Sequence, residues 1–259
     1  MTPRHDWTLI FIHIPKTAGT SLRQAMAGAY KPSERLYLYD APQLEGAMLR
    51  SDFVRLPVER RAELRFVMGH FAFGLHRQIP RESRYVVVLR DPVERVVSHY
   101  YHYRQVVDPG KTGRPARERR LIESQNVTLE EWAFDLQRLE ADNQLVRHIC
   151  GRPEVPYGSC SEEMLDLALQ NIDEHFEFVM FADSMAEEAM ALGGKLGYVI
   201  SMEKRANVNE QRPGMDHLDR RVLDRIRELN RFDVALYERM QQRRLMAAGQ
   251  RGSRRWPWS

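Results

Sequence analysis

Short unbroken apolar runs alternate along the chain with longer stretches whose apolar residues recur at helical spacing. Thr8–Ile14 (TLIFIHI) is a β-prone run of the kind expected for a strand buried on both faces. Phe66–Gly69 (FVMG), Tyr85–Leu89 (YVVVL) and Phe176–Phe181 (FEFVMF) repeat the pattern. Between and after them, helical spacing fills Ser21–Ala29, Pro92–Arg104, Leu129–Cys150, Glu162–Ile172, Ser184–Leu196 and His217–Arg244. Strands separated by helices predict an α/β fold, a central mostly parallel sheet with helices on both faces.

Length and charge refine this picture. The 259 residues, 43% hydrophobic and 29% charged, carry enough apolar surface for a full core and exclude a disordered or fibrous chain. One domain is expected over residues 1–242. The net charge of +3 sits in the tail, residues 243–259, where Arg243, Arg244, Arg251, Arg254 and Arg255 stand without an acid. The body is slightly acidic, so no nucleic-acid partner is expected, and the tail is read as flexible. Cys150 and Cys160 are too few for a disulfide scaffold or a structural zinc site. No apolar run is long enough to span a membrane and no signal core opens the chain, which predicts a cytoplasmic protein. Residues 108–120 (DPGKTGRPARERR) are either a solvated insertion or a basic flap over an anionic ligand.

The chemistry collects where the runs end. The first leads into Pro15-Lys16-Thr17-Ala18-Gly19-Thr20-Ser21, the second into His70, and the third into Arg90-Asp91-Pro92. Ligands of open parallel sheets sit beyond the carboxyl ends of the strands. A strand, a tight turn and a helix start bring free backbone amides to one point. Gly19 removes a Cβ there; Thr17, Thr20 and Ser21 add hydroxyls, and Lys16 adds a charge. The sum is a phosphate or sulfate cradle; the plainer alternative is a turn that Thr20 or Ser21 merely caps. It is not a Walker A loop, because no glycine precedes Lys16 at the required spacing. At the third run Asp91 is placed to cap a helix that Pro92 opens. Arg90 at the strand tip and Ser98 two turns into the helix fit a terminal phosphate, or Arg90 pairs with a nearby carboxylate.

Taken together, Ile14–Leu22 (IPKTAGTSL) resembles the 5′-phosphosulfate loop of the sulfotransferases, and Val87–Tyr100 (VVLRDPVERVVSHY) resembles their 3′-phosphate motif. The Gly69-His70 step is similar to that of the Golgi-type carbohydrate sulfotransferases, the heparan sulfate 2-O-sulfotransferases among them, and their bacterial relatives. Asp142-Asn143-Gln144 and Asn207–Pro213 (NVNEQRP) extend the likeness.

The resemblance implies a P-loop-like nucleotide cradle and a transferase using 3′-phosphoadenosine 5′-phosphosulfate (PAPS) without a metal. In it Lys16, Thr17, Ala18, Gly19, Thr20 and Ser21 hold the 5′-phosphosulfate, Arg90 and Ser98 bind the 3′-phosphate, and Asn209 and Arg212 close over the nucleotide. His70 acts as general base toward an acceptor hydroxyl, probed against His13, His76, His99 and His102 as competing histidines, while Lys16 neutralises the leaving oxygen. The implied acceptor is a glycan or glycoconjugate. Two other readings stand beside it: a small-molecule kinase using ATP, and a non-catalytic anion- or nucleic-acid-binding module driven by the arginine-rich loop and tail.

Overall fold

The computed structural model describes residues 5–39, 47–104, 122, 126–200 and 213–249. Strands β1 (Thr8–Ile12), β2 (Arg35–Leu38), β3 (Ala47–Met48), β4 (Phe66–Gly69), β5 (Ser83–Leu89) and β6 (Phe176–Phe181) form one sheet in the order β3-β2-β4-β1-β5-β6. Every neighbouring pair is parallel. The helices are α1 (Gly19–Ala27), α2 (Arg50–Phe53), α3 (Val58–Ala62), α4 (Pro92–Arg104), α5 (Gln144–Cys150), α6 (Glu162–His175), α7 (Met185–Leu196), α8 (Arg220–Leu229) and α9 (Arg231–Gly249).

Alternation along each strand sends residues to two separate cores. Ile10 and Ile12 of β1 join Val67, Val87 and Val179 beneath Leu145 of α5, Leu165 of α6 and Leu236 of α9. Leu9 and Phe11 join Met68, Val88 and Met180 against Leu22 of α1 and Leu192 of α7. A sheet covered on both faces explains why β1 and β5 read as continuous apolar runs. A third cluster seats α4 through Val96 and Tyr100 against Trp132 and Ile226 of α8.

Four of the six strands coincide with the apolar runs, and α4 spans the residues its pattern predicts. Three expectations change. β2 and β3 carry no sequence signal: they are short and lie toward one edge. The expected helix over 129–150 breaks into a π turn at Glu131–Asp135, a 3-10 turn at Leu139–Ala141, and α5. Gln137 (φ 45°) and Asn143 (φ 43°) take left-handed backbone that no helix continues through. The expected helix over 217–244 is likewise divided, at Asn230, whose side-chain amide donates to the carbonyls of Ala141 and Ile226.

α9 then runs to Gly249, so the first tail arginines belong to a helix rather than a flexible end. Arg243 pairs with Asp173 at 2.5 Å, and Arg244 pairs with Asp183 and Glu188 at 3.6 and 3.3 Å. Residues 250–259, the 108–120 segment, and the Asn207–Arg212 loop with Asn209 and Arg212 lie outside the described residues.

Candidate active site

In the sheet register Ile12 of β1 stands beside Gly69 of β4 and Val87 of β5. The three polar strand ends are therefore neighbours in space. The His13 amide donates to the Gly69 carbonyl at 2.9 Å, and the His70 amide donates to the Leu38 carbonyl at 2.9 Å.

After β1 the chain turns through Lys16 (φ 71°) and Ala18 (φ 66°), both left-handed without being glycine. Such strain concentrates at ligand clamps, and alternating hands of backbone turn successive amides toward one concavity. Ala18 is the N-cap of α1, and no side chain caps that helix. The plain capping role for Thr20 or Ser21 is thus excluded, and the amides of Gly19 and Thr20 have no intrahelical acceptor. No acidic residue stands in the first turn to oppose an anion.

Two loop residues serve differently from expectation. The buried Thr17 hydroxyl donates to the Ile14 carbonyl at 2.9 Å, so it closes the turn instead of adding a donor to the cradle. Gly19 makes room for a side chain: a Cβ there would lie 2.2 Å from Cδ2 and 2.6 Å from Nε2 of His13.

Arg90 reaches across from β5. Its Nη1 donates to the Lys16 carbonyl at 3.1 Å, and its Nη2 pairs with Glu94 at 3.0 Å. The carboxylate pairing left open by the sequence is therefore present, alongside a bond that fixes the loop. A guanidinium has five N–H donors, so these contacts leave capacity for an anion. Asp91 caps α4 as expected, accepting from the Glu94 amide at 2.9 Å. Ser98, half-buried, lies four residues beyond Glu94 and so on the same face of α4.

His70 projects from the end of β4, open to solvent on one side. Its ring meets His13 edge-on (centroids 4.7 Å, 68°) and Tyr39 at 4.8 Å. Crowding by protein, followed by the Arg23 charge, lowers its pKa to about 4. At neutral pH the imidazole is uncharged and can accept a proton.

The competing histidines separate by position. His76 stacks on His175 and contacts the Tyr85 hydroxyl at 2.8 Å, away from the strand ends. His99 is buried against Tyr103 and Trp132. His102 is exposed; desolvation and then Lys16 lower it to about 4. His13 is buried beside His70, and desolvation, then His70, Arg23 and Lys16, hold it well below its usual value.

Three residues escaped sequence reasoning. Arg23 sits one helical turn beyond Gly19 and acts on His13, Tyr39 and His70. Tyr39 follows the unrecognised β2. His148, on α5, bonds the Gln144 carbonyl at 2.8 Å through Nδ1, and burial lowers it to about 4. Only the spacing of Arg23 from Gly19 was available as a signal.

Asp142-Asn143-Gln144 forms a supporting network rather than a ligand site. Asp142 and Arg147 make a buried ion pair, and Asp142 also accepts from the Gly158 amide at 2.8 Å. Asn143 accepts from the amides of Phe232 and Asp233, while Asp233 accepts from those of Leu145 and Val146. Each residue thereby caps the other's helix. The α5 so fixed presents the His148 carbonyl to the Phe73 amide at 2.8 Å, just beyond His70.

Cys150 and Cys160 are free and buried, and burial raises both thiols. Among the described residues no three histidine, cysteine or acidic side chains gather to hold a metal, and no helix is long and apolar enough to cross a membrane.

An uncapped helix start and strained amides, with the charges of Arg23 and Lys16 felt at His13 and Arg90 bonded to the Lys16 carbonyl, suit an oxyanion. Among curated proteins none matches the chain. A model of the sulfotransferase family matches residues 1–238, which favours sulfuryl transfer over the kinase alternative. With that match covering the sheet, the cradle and His70, the chain belongs to the sulfotransferase family.

Proposed function

We propose that the protein transfers the sulfuryl group of PAPS to a hydroxyl of a carbohydrate acceptor, in the manner of the Golgi-type enzymes, with His70 as general base. The observation that carries this reading is the convergence of the α1 amino end, His70 and Arg90 at adjacent strand ends.

Sulfuryl transfer resembles phosphoryl transfer, an in-line displacement governed by positioning and charge stabilisation. As the acceptor oxygen bonds to sulfur, the bond from sulfur to the phosphate oxygen breaks. His70 takes the hydroxyl proton, and Lys16 offsets charge gathering on the departing oxygen. The amides from Thr17 to Thr20 and the Ser21 hydroxyl hold the 5′ group. Arg90 and Ser98 receive the 3′-phosphate, which separates PAPS from ordinary adenine nucleotides. Asn209 and Arg212 are proposed to complete the nucleotide site, within a single domain acting in the cytoplasm.

Calorimetry tests the donor. Adenosine 3′,5′-bisphosphate is expected to bind without metal and more tightly than ATP with Mg²⁺. Preference for ATP would return the kinase reading.

A further inference from the structure

His13 follows β1 directly and looks at first like one more buried ring. Its surroundings are unusual for a packing residue. Nδ1 lies 3.1 Å from the Tyr39 hydroxyl, and the ring abuts His70. The opposite edge, Cδ2 and Nε2, fills the space that a Cβ on Gly19 would occupy. Cα–Cβ bonds lean toward the amino end of a helix, so this edge lies at the start of α1. The residue as a whole keeps 7% of its surface exposed.

We propose that His13 links the anion cradle to the base, donating a hydrogen bond from Nε2 to an oxyanion at the α1 amino end while its ring holds His70 in place. The Tyr39 hydroxyl selects the tautomer. Burial raises this phenol to about 12, so it keeps its proton, and in the proposed tautomer it donates that proton to Nδ1. The imidazole proton then resides on Nε2, facing the cradle. Desolvation, and after it the charges of His70, Arg23 and Lys16, keep the ring neutral, so it serves as a donor rather than a second base. His70 in turn is oriented by the rings of His13 and Tyr39, with no side-chain hydrogen bond among the described residues, which leaves its nitrogens to the acceptor.

The inference rests on the sulfotransferase reading, and binding of adenosine 3′,5′-bisphosphate separates the two. His13→Leu removes both nitrogens, whereas His13→Gln keeps a donor near the Nε2 position. Affinity is expected to fall about tenfold in the Leu variant, as for loss of a charge-assisted hydrogen bond, and to stay within about threefold in the Gln variant. In the unaltered protein the bisphosphate is expected to shift the imidazole ¹⁵N resonance of Nε2 more than that of Nδ1. If His13→Leu does not fold, Tyr39→Phe replaces it: the phenol is lost, and the two tautomers of His13 should then both be populated. Unchanged affinity in a folded His13→Leu, or an unchanged tautomer in Tyr39→Phe, overturns the inference alone. Failure of the unaltered protein to bind the bisphosphate overturns the sulfotransferase reading, and this inference with it.

Discussion

The carbonyl oxygen of Leu38 occupies the place where Gly69 would carry a Cβ, at 1.8 Å from that position. The same carbonyl accepts the His70 amide. The glycine before His70 is therefore dictated by the approach of β2, and it sets where the imidazole leaves the sheet. Gly69→Ala must part β2 from β4, and overpacking against backbone is expected to cost about 3 kcal/mol. Urea unfolding measures this; a loss below about 1 kcal/mol would show that the strand ends yield easily.

Arg90 is tied to the Lys16 carbonyl and to Glu94, so its loss should loosen the cradle as well as remove a phosphate donor. Arg90→Ala is expected to weaken binding of adenosine 3′,5′-bisphosphate by about tenfold to a hundredfold, the range for hydrogen bonds to charged groups. Calorimetry reads the change. Unaltered affinity would assign Arg90 to the loop alone.

Asn143 and Asp233 cap each other's helices from buried positions. Asn143→Ala strands the Phe232 and Asp233 amides together and should cost about 1–3 kcal/mol. Asp233→Ala strands the Leu145 and Val146 amides and should cost a similar amount. Urea unfolding measures both variants; a loss below about 0.5 kcal/mol in either would contradict reciprocal capping.

Acid should destabilise the fold early. His13, His76, His99 and His148 all have pKa values lowered in the folded protein, chiefly by desolvation. Between those values and the unfolded value near 6.5, the unfolded chain binds more protons. Stability is thus full above about 6.5 and falls as pH drops toward 4. Each of these rings contributes at most about 1.4 kcal/mol per pH unit, and the part-exposed His76 less because solvent screens it. Urea midpoints from pH 7.5 to 4.5 should decline steadily; a flat profile would mean the rings are well solvated.

The site was legible in the sequence where chemistry adjoins a buried strand. His70, Lys16 and Arg90 each follow an apolar run, and parallel pairing brings those ends together. β2 and β3 were not legible, because short strands near an edge carry little apolar periodicity. Tyr39 was lost with them. Arg23 and His148 reach the site through helix packing, which no local pattern encodes. The expectation for Thr17 and Gly19 picked out the turn but not the partners: one hydroxyl closes it, and the glycine makes room for His13. Residue type identified the loop, while the partner of each atom depended on the fold.

The His70 assignment meets its most direct test in release of adenosine 3′,5′-bisphosphate from PAPS, followed with a panel of sugar acceptors for the unaltered protein and His70→Ala. Acceptor-dependent release is expected, with turnover about a hundredfold or more lower in the variant. The variant's affinity for the bisphosphate should stay within about twofold, because the base acts on the acceptor and not on the nucleotide. Full turnover in His70→Ala would contradict the account.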